Sequence, residues 1–367
     1  MKTGSFGNTF YNKRVLITGH TGFKGSWLTQ WLLMLGAKVT GLSDKVPTNP
    51  SLFDVLNLKD SISDIRIDIT NYSSVLDEIN KAAPDIVFHL AAQSIVNIGF
   101  SDPLGTFMSN AVGTMNVLEA IRVGDKPKAV VLITSDKAYK NKEWVWGYRE
   151  SDELGGDDPY SASKGCAELI IQSYVKSFFK DKKGLPNIAS ARAGNVIGGG
   201  DWSDSRLIPD IIRSWKNNES LSIRSPESTR PWQHVLEPLR GYLELGQDLL
   251  NDSENHGESF NFGPDARLIK SVSELLESFS SYFENIKWIE KASESKNIEH
   301  GLLKLCCDKA LSRLDWLPIL DFEATIKYTA TWYLSYYKNP ESIQKFTRDQ
   351  IEQYNDMCEK FDFEGRF

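Results

Sequence analysis

The sequence predicts an α/β protein, a doubly wound parallel sheet with a smaller mixed α/β lobe on its C-terminal side. Three observations carry this. Short β-branched runs alternate with helical periodicity as far as about residue 193. The first of these runs meets glycine at once and opens into an apolar-faced helix. Past Gly194 the alternation loosens into Gly198-Gly199-Gly200-Asp201-Trp202 and mixed short elements.

Lys13-Arg14-Val15-Leu16-Ile17-Thr18 reads as a strand buried on both faces. Gly19-His20-Thr21-Gly22-Phe23-Lys24-Gly25 follows, leading into a helix with Trp27, Leu28, Trp31, Leu32 and Leu35 on one face. In a Rossmann-type strand–turn–helix the first glycine permits the turn and the second lets backbone N–H groups approach a pyrophosphate. The third allows close helix–strand packing, and the helix N-terminus favours anions. Gly19, Thr21, Gly22, Phe23 and Gly25 are therefore candidates for holding a dinucleotide; the other reading is a glycine-rich turn needed only for packing.

A second strand is expected over 37–42, followed by Asp44, where a carboxylate would bind an adenosine ribose and repel a 2′-phosphate. Asp68 and Ile69 close a third strand over 64–67 and fall beside the adenine, although a turn aspartate is the other reading of Asp68. A fourth strand over 85–90 ends in Leu90-Ala91-Ala92-Gln93, small enough for a cofactor to lie against. His89 reads as a packed core residue. Further strands start near Lys128 and Pro186, with helices near 24–36, 71–82, 104–123 and 160–180. The expected organisation is a dinucleotide-binding lobe over 1–194 with a return segment over 235–262. A substrate lobe over 195–234 and 263–340 follows, then a helical tail over 341–367, amphipathic at 341–361, whose docking, dimer contact or solvent exposure stays open.

Residues 132–164 carry the chemistry. Leu132-Ile133-Thr134-Ser135-Asp136-Lys137 ends an apolar run, and Tyr160-Ser161-Ala162-Ser163-Lys164 places a phenol and an ammonium one helical turn apart. A phenol is a poor base at neutral pH, and a nearby cation would lower its pKa. Such a pair can take a proton from a sugar hydroxyl while a hydride leaves the same carbon. Alone, tyrosine and lysine at this spacing also fit an ordinary amphipathic helix.

The 367 residues suffice for two fused lobes, and 41% hydrophobic with 25% charged residues is an ordinary water-soluble composition. A net charge of −7 without a long basic run argues against nucleic acid as a partner. No stretch has the length of a membrane span, and the N-terminus lacks the apolar core of a signal peptide. Cys166, Cys306, Cys307 and Cys358 form neither a zinc pattern nor a disulfide framework, which suits a reducing cytoplasm. No metal site is expected.

From Val15 to Gly263 the chain resembles the extended short-chain dehydrogenase/reductase superfamily, in its NAD-dependent epimerase/dehydratase family acting on nucleotide sugars. The blocks that carry the likeness are the stretch from Gly19 to Leu28, Pro47 to Phe53, Thr134 to Lys137, Asp158 to Glu168, Ala191 to Trp202 and Arg230 to Pro238. Within the family they are most similar to the CDP-glucose 4,6-dehydratase branch. That resemblance implies NAD as cofactor, a nucleotide-sugar substrate, and hydro-lyase chemistry in deoxysugar and O-antigen-type polysaccharide synthesis. It also implies a homodimer or higher homo-oligomer formed through the helices near 104–123 and 160–180.

The family's reaction oxidises the hexose at C4, expels water across C5 and C6, and returns the hydride to C6. By resemblance Tyr160 is the base on the C4 hydroxyl and Lys164 holds the nicotinamide ribose. Ser135 hydrogen-bonds the C4 oxygen with support from Thr134, and Asp136 protonates the departing C6 hydroxyl. Relatives acting on dTDP-glucose or GDP-mannose carry glutamate where this chain has Lys137. A lysine takes the C5 proton only as the neutral amine; its other role is to pair with Asp136 or orient the sugar, and both stay open. Gln93, Asn195, Arg206, Arg230 and His234 are the substrate-binding candidates. Arg206 and Arg230 suit the diphosphate because a guanidinium matches phosphate oxygens in pairs. Either arginine could instead be a surface ion-pair partner. Trp146, Trp202 and Trp232 could pack the base or sugar, core packing being the alternative for each.

Asn97 and Phe100 depart from the arginine and tyrosine expected after Ala91-Ala92-Gln93, which leaves room for another hexose or nucleotide. The rival enzyme readings are a 4-epimerase, a decarboxylase or a dehydratase acting on another nucleotide sugar. Epimerases need no acid beside the Tyr/Lys pair, so Asp136-Lys137 argues for elimination. A non-catalytic NAD-sensing protein would be expected to have lost Tyr160, Lys164 or Asp136, and all three are present.

Overall fold

Seven short strands, all parallel, form one sheet in the order β7-β6-β5-β4-β1-β2-β3. They are β1 (Arg14–Thr18), β2 (Lys38–Ser43), β3 (Ser63–Arg66), β4 (Ile86–His89), β5 (Ala129–Ile133), β6 (Asn187–Arg192) and β7 (Ser259–Asn261). The computed structural model describes residues 6–180, 184–223, 225–251, 254–265, 269–284, 286–290 and 302–364. Residues 1–5 of the expected dinucleotide-binding lobe, 291–301 of the expected substrate lobe and 365–367 of the expected helical tail lie outside the described residues. β4 and β5 are buried along their whole length, as helices on both faces of a parallel sheet demand. The strand order reverses beside β1, where Thr18 pairs with Leu42 on one side and His89 on the other. Ligands of such sheets bind in the crevice beyond the carboxyl ends at this switch point.

The expected elements appear with shifted bounds. Helix α1 (Phe23–Met34) follows the glycine turn, and α2 (Tyr72–Ala82) is capped by Asn71. The single helix expected over 104–123 is a chain of short pieces from Val96, with a π-turn at Met108–Val112 before α3 (Gly113–Val123). Helix α4 (Pro159–Tyr174) starts where the sequence says a helix should. Asp158 accepts from the Ser161 N–H at 2.9 Å, and Pro159 occupies the first helical position. After α4 and β6 the chain leaves the sheet and returns through α5 (Leu236–Leu250), which packs on β5 and β6, into β7. The excursions are joined by two-stranded pairings, Val196–Ile197 with Gln233–His234 and Thr229–Arg230 with Lys270–Ser271.

The tail is a docked element. Helices α6 (Phe322–Lys338) and α7 (Ile343–Glu364) pack together, and α7 also lies against α1. Trp31 meets Tyr354 edge-on at 5.8 Å, and Ile351, Tyr354 and Cys358 are buried. This covers the second side of α1, so Trp27, Leu28, Trp31 and Leu32 are all fully enclosed. Among the described residues no helix is long and apolar enough to cross a membrane, and no group of three or more His, Cys, Asp or Glu side chains is placed to hold a metal.

Candidate active site

The glycine turn forms a tight cradle at the end of β1. Gly19 has φ +76°, and a Cβ there would lie 2.7 Å from the Ala91 nitrogen. One on Gly25 would lie 2.1 Å from the Gly19 oxygen. Thr21 Oγ1 donates to the Lys45 carbonyl at 2.7 Å, tying the cradle to the end of β2, where Asp44 stands exposed. Asp68 accepts from the Thr70 N–H, and Asn116 of α3 donates to the carbonyls of Ile69 and Thr70, both at 3.0 Å. Leu90, Ala91 and Ala92 line the β4 side, where the Ala91 N–H donates to Thr18 Oγ1 at 3.1 Å. A helix start built on glycines, a carboxylate at the end of β2 and small side chains opposite fit a dinucleotide.

Ser135 and Asp136 project from the end of β5, and Tyr160 and Lys164 come toward them from α4. The Ser135 hydroxyl lies near enough to the Tyr160 phenol to act on its ionisation. Asp136, 4% exposed, accepts from Ser135 Oγ at 2.8 Å, from the Lys137 N–H at 2.9 Å and from Asn195 Nδ2 at 3.4 Å. Asn195 has φ +52°, which turns its side chain back toward β5, and Gly194 beside it leaves space for the carboxylate. Gly99 lets the Val96–Ser101 helix rest on Tyr160, while Asn97 and Phe100 of that helix face solvent.

The electrostatics differ from the expectation. Burial pushes the Tyr160 phenol up to about 12, the Ser135 hydroxyl opposes this, Asp136 adds to it, and the Arg206 guanidinium pulls it down. The phenol is thus raised rather than lowered, because α4 is enclosed and desolvation outweighs the nearby cation. Lys164 is itself brought down to about 8 by burial, with Glu168 acting against the fall.

Three sequence-derived roles need correction. Thr134 does not back up Ser135: its hydroxyl donates to Glu168, one layer below the site. Gln93 spends both ends of its carboxamide on structure, Nε2 on Thr106 of the Pro103–Phe107 helix and Oε1 accepting from the Ile95 N–H, so it shapes the loop. His234 is fully buried between Trp27 and Tyr328, because its strand pairs with Ile197 under α1. Trp202 and Trp232 are core residues, whereas Trp146 is 69% exposed. Arg206 bridges Asp201 at 2.8 Å and Ser94 Oγ at 3.1 Å, close enough to act on Tyr160. Arg230 lies on the Thr229–Arg230 strand and donates to the Thr229 carbonyl at 2.8 Å. Lys137 lines a small cavity with Tyr139, Asn141, Gly156, Asp157, Leu303 and Ser161, the residue after Tyr160 on α4.

Sequence reasoning missed two groups. Lys24, inside the glycine turn, is brought down to about 7 by burial and by Arg206, with Asp136 and Lys164 also acting on it. A cation between two motif glycines was the available signal. Asn110, in the π-turn, donates to the Gln93 carbonyl at 3.0 Å and to Ser163 Oγ at 2.8 Å, coupling the cofactor loop to α4. No local pattern marks it.

A doubly wound sheet with a dinucleotide cradle at its switch point and a Ser/Tyr/Lys cluster beside it defines a nicotinamide-dependent oxidoreductase scaffold. Residues 15–263 match the NAD dependent epimerase/dehydratase family, and the chain belongs to that family. It is 42% identical over 341 residues to a CDP-glucose 4,6-dehydratase of Salmonella typhimurium, covering 92% of this chain and 94% of that one. It is 25% identical to a dTDP-glucose 4,6-dehydratase of Haemophilus influenzae, covering 87% and 97%. Among solved structures, an epimerase from Methanothermobacter thermautotrophicus superposes with a TM-score of 0.79 at 23% identity, covering 93% and 97%. A dTDP-glucose 4,6-dehydratase from Streptomyces venezuelae superposes with a TM-score of 0.73 at 20% identity, covering 89% and 97%.

Proposed function

We propose that this chain dehydrates CDP-glucose to the 4-keto-6-deoxy sugar nucleotide. The observation that carries the reading is the meeting of Ser135 and Tyr160 beside the Asp136–Lys137 pair at the carboxyl end of β5. The 42% identity over nearly the whole chain supports the choice of CDP-glucose.

Gly19, Thr21, Gly22, Phe23 and Gly25 would hold the pyrophosphate of NAD, Asp44 its adenosine ribose, Asp68 and Ile69 its adenine, and Leu90, Ala91 and Ala92 its flank. Bound NAD supplies a hydride acceptor for the sugar C4 and donor for C6, so the reaction is redox-neutral overall. Ser135 and Tyr160 grip the C4 hydroxyl, and Tyr160 takes its proton. A phenol raised by burial needs positive charge nearby to do this, and Arg206 supplies some from across the cleft. Lys164 holds the nicotinamide ribose. Once C4 is a ketone the C5–H is acidified, which is why oxidation must come first. Lys137 takes that proton and Asp136 gives one to the departing C6 hydroxyl. Asn195, Arg206 and Arg230 anchor the sugar nucleotide.

Phe100, Leu104 and Met108 are exposed on elements that pack against α4, which exposes Leu169, and a second copy of the chain would cover these side chains. The enzyme then works as a cytoplasmic homodimer feeding deoxysugar and lipopolysaccharide synthesis; four free cysteines support the compartment. The test is incubation of purified protein with CDP-, dTDP-, UDP- and GDP-glucose. Loss of one water from the CDP sugar, with alkaline ultraviolet absorbance of the product, is the expected result. A product of unchanged mass would mean epimerisation and overturn the proposal.

A further inference from the structure

Two turns after Tyr160 and one after Lys164, Glu168 is fully enclosed in the layer beneath the active site. Its carboxylate accepts from Arg192 Nε at 2.9 Å and Nη2 at 2.7 Å, from Ser190 Oγ at 3.0 Å, and from Thr134 Oγ1. Arg192, equally enclosed, donates its remaining Nη1 to Tyr139 Oη at 2.6 Å and to the Glu150 carbonyl at 3.2 Å. Tyr139 in turn donates to Asn261 Oδ1 at 2.8 Å. The network ties α4 to β5 through Thr134, to β6 through Ser190 and Arg192, and on to β7 through Asn261.

A buried ion pair is a poor way to stabilise a fold. Apolar residues of similar volume commonly do as well or better, so a charge kept here calls for another explanation. Thr134 immediately precedes Ser135 and Asp136, so the carboxylate reaches both halves of the site.

We propose that Glu168 is a positioning residue for the reaction: it registers α4 against the end of β5 and is the anion that holds Lys164 as an ammonium. This rests on Lys164 serving the nicotinamide ribose. The charged and titratable groups around Lys164 are Glu168 and Tyr160 on its own helix, Lys24 from the start of α1 and His89 from β4, with Arg192 behind Glu168 on β6. Lys24 opposes a second cation and burial keeps His89 neutral, which leaves Glu168 as the favourable neighbour. Its formal charge is offset by Arg192, but Lys164 lies on the carboxylate's own helix, one turn away, and Arg192 on a strand beyond it.

The test substitutes Glu168→Gln, which keeps the shape and loses the charge. Acetylation of Lys164 as a function of pH, read by peptide mass spectrometry, follows the amine directly and does not depend on which sugar the enzyme accepts. The midpoint should fall by about one pH unit or more. The basic limb of kcat/KM for dehydration should move with it, and Glu168→Asp should restore both. A purely structural role would lower the melting temperature and leave the midpoint in place. If Glu168→Gln does not fold, Glu168→Leu with Arg192→Met removes both buried charges and carries the same expectation. An unchanged midpoint in either folded variant overturns the proposal. Shifted labelling in a protein without dehydratase activity would sink the proposed function alone.

Discussion

Substituting Gly194→Ala displaces the Asp136 carboxyl without replacing any reacting residue. An added Cβ would lie 1.9 Å from Oδ2 and 2.0 Å from Cγ of Asp136. Carbon–oxygen contacts settle near 3.3 Å, so the carboxylate must retreat by about 1.4 Å. It cannot do so and keep its partners, Ser135 Oγ at 2.8 Å, the Lys137 N–H at 2.9 Å and Asn195 Nδ2 at 3.4 Å. A hydrogen bond contributes about 0.5–1.5 kcal/mol, and partial loss of the two shorter ones costs about 1–2 kcal/mol of stability. The catalytic effect is larger, since a misplacement of about 1 Å lowers turnover roughly a hundredfold. The assay compares dehydration kcat with NAD affinity and a thermal melt for the same preparation. The expected variant is folded, binds NAD as the parent does, and dehydrates at least about a hundredfold more slowly. Turnover within about threefold of the parent would refute the claim that the position of Asp136 limits elimination.

Tyr160→Phe removes the hydroxyl that Ser135 contacts, so substrate-dependent reduction of bound NAD should fall by about three orders of magnitude or more, read as nicotinamide absorbance in a single turnover. Lys137→Ala should keep cofactor affinity and lose dehydration; turnover equal to the parent would remove this amine from the mechanism. His89, bonded to Thr18 Oγ1 at 2.7 Å and Thr114 Oγ1 at 3.1 Å, and enclosed His234 are both held at about 3 by burial, against an ordinary value of 6.5. Between these values the unfolded chain binds protons that the folded chain refuses, so stability falls on acidification from about pH 6.5 toward 3, by up to about 1.4 kcal/mol per pH unit for each histidine. Thermal melts across this window should show the decline, and His234→Asn should flatten it; an unaltered slope would refute the assignment.

Local chemistry was the legible part. The strand–glycine–helix opening and the Asp158-Pro159 helix start act over a few residues, so the one-dimensional pattern contains their causes. The Tyr160–Lys164 spacing is legible for the same reason. What surrounds a face is a different matter. The periodicity of α1 marks Trp27 and Trp31 as apolar, but the cover on the other side comes from Tyr354, more than three hundred residues away. Gln93 and His234 sit in motifs that border a substrate, yet their hydrogen-bond partners and burial come from neighbouring elements that the motif does not contain. The direction of the Tyr160 shift depends on desolvation, a property of the enclosed site as a whole, so a residue spacing cannot give its sign.

The central claim is that one hydride leaves the hexose at C4 and comes back to the same molecule at C6 within an enclosed site. CDP-glucose carrying deuterium at C4, turned over in ordinary water, tests it directly by mass spectrometry and proton resonance of the product. The account predicts deuterium in the C6 methyl group. Product whose methyl group carries only hydrogen would contradict it.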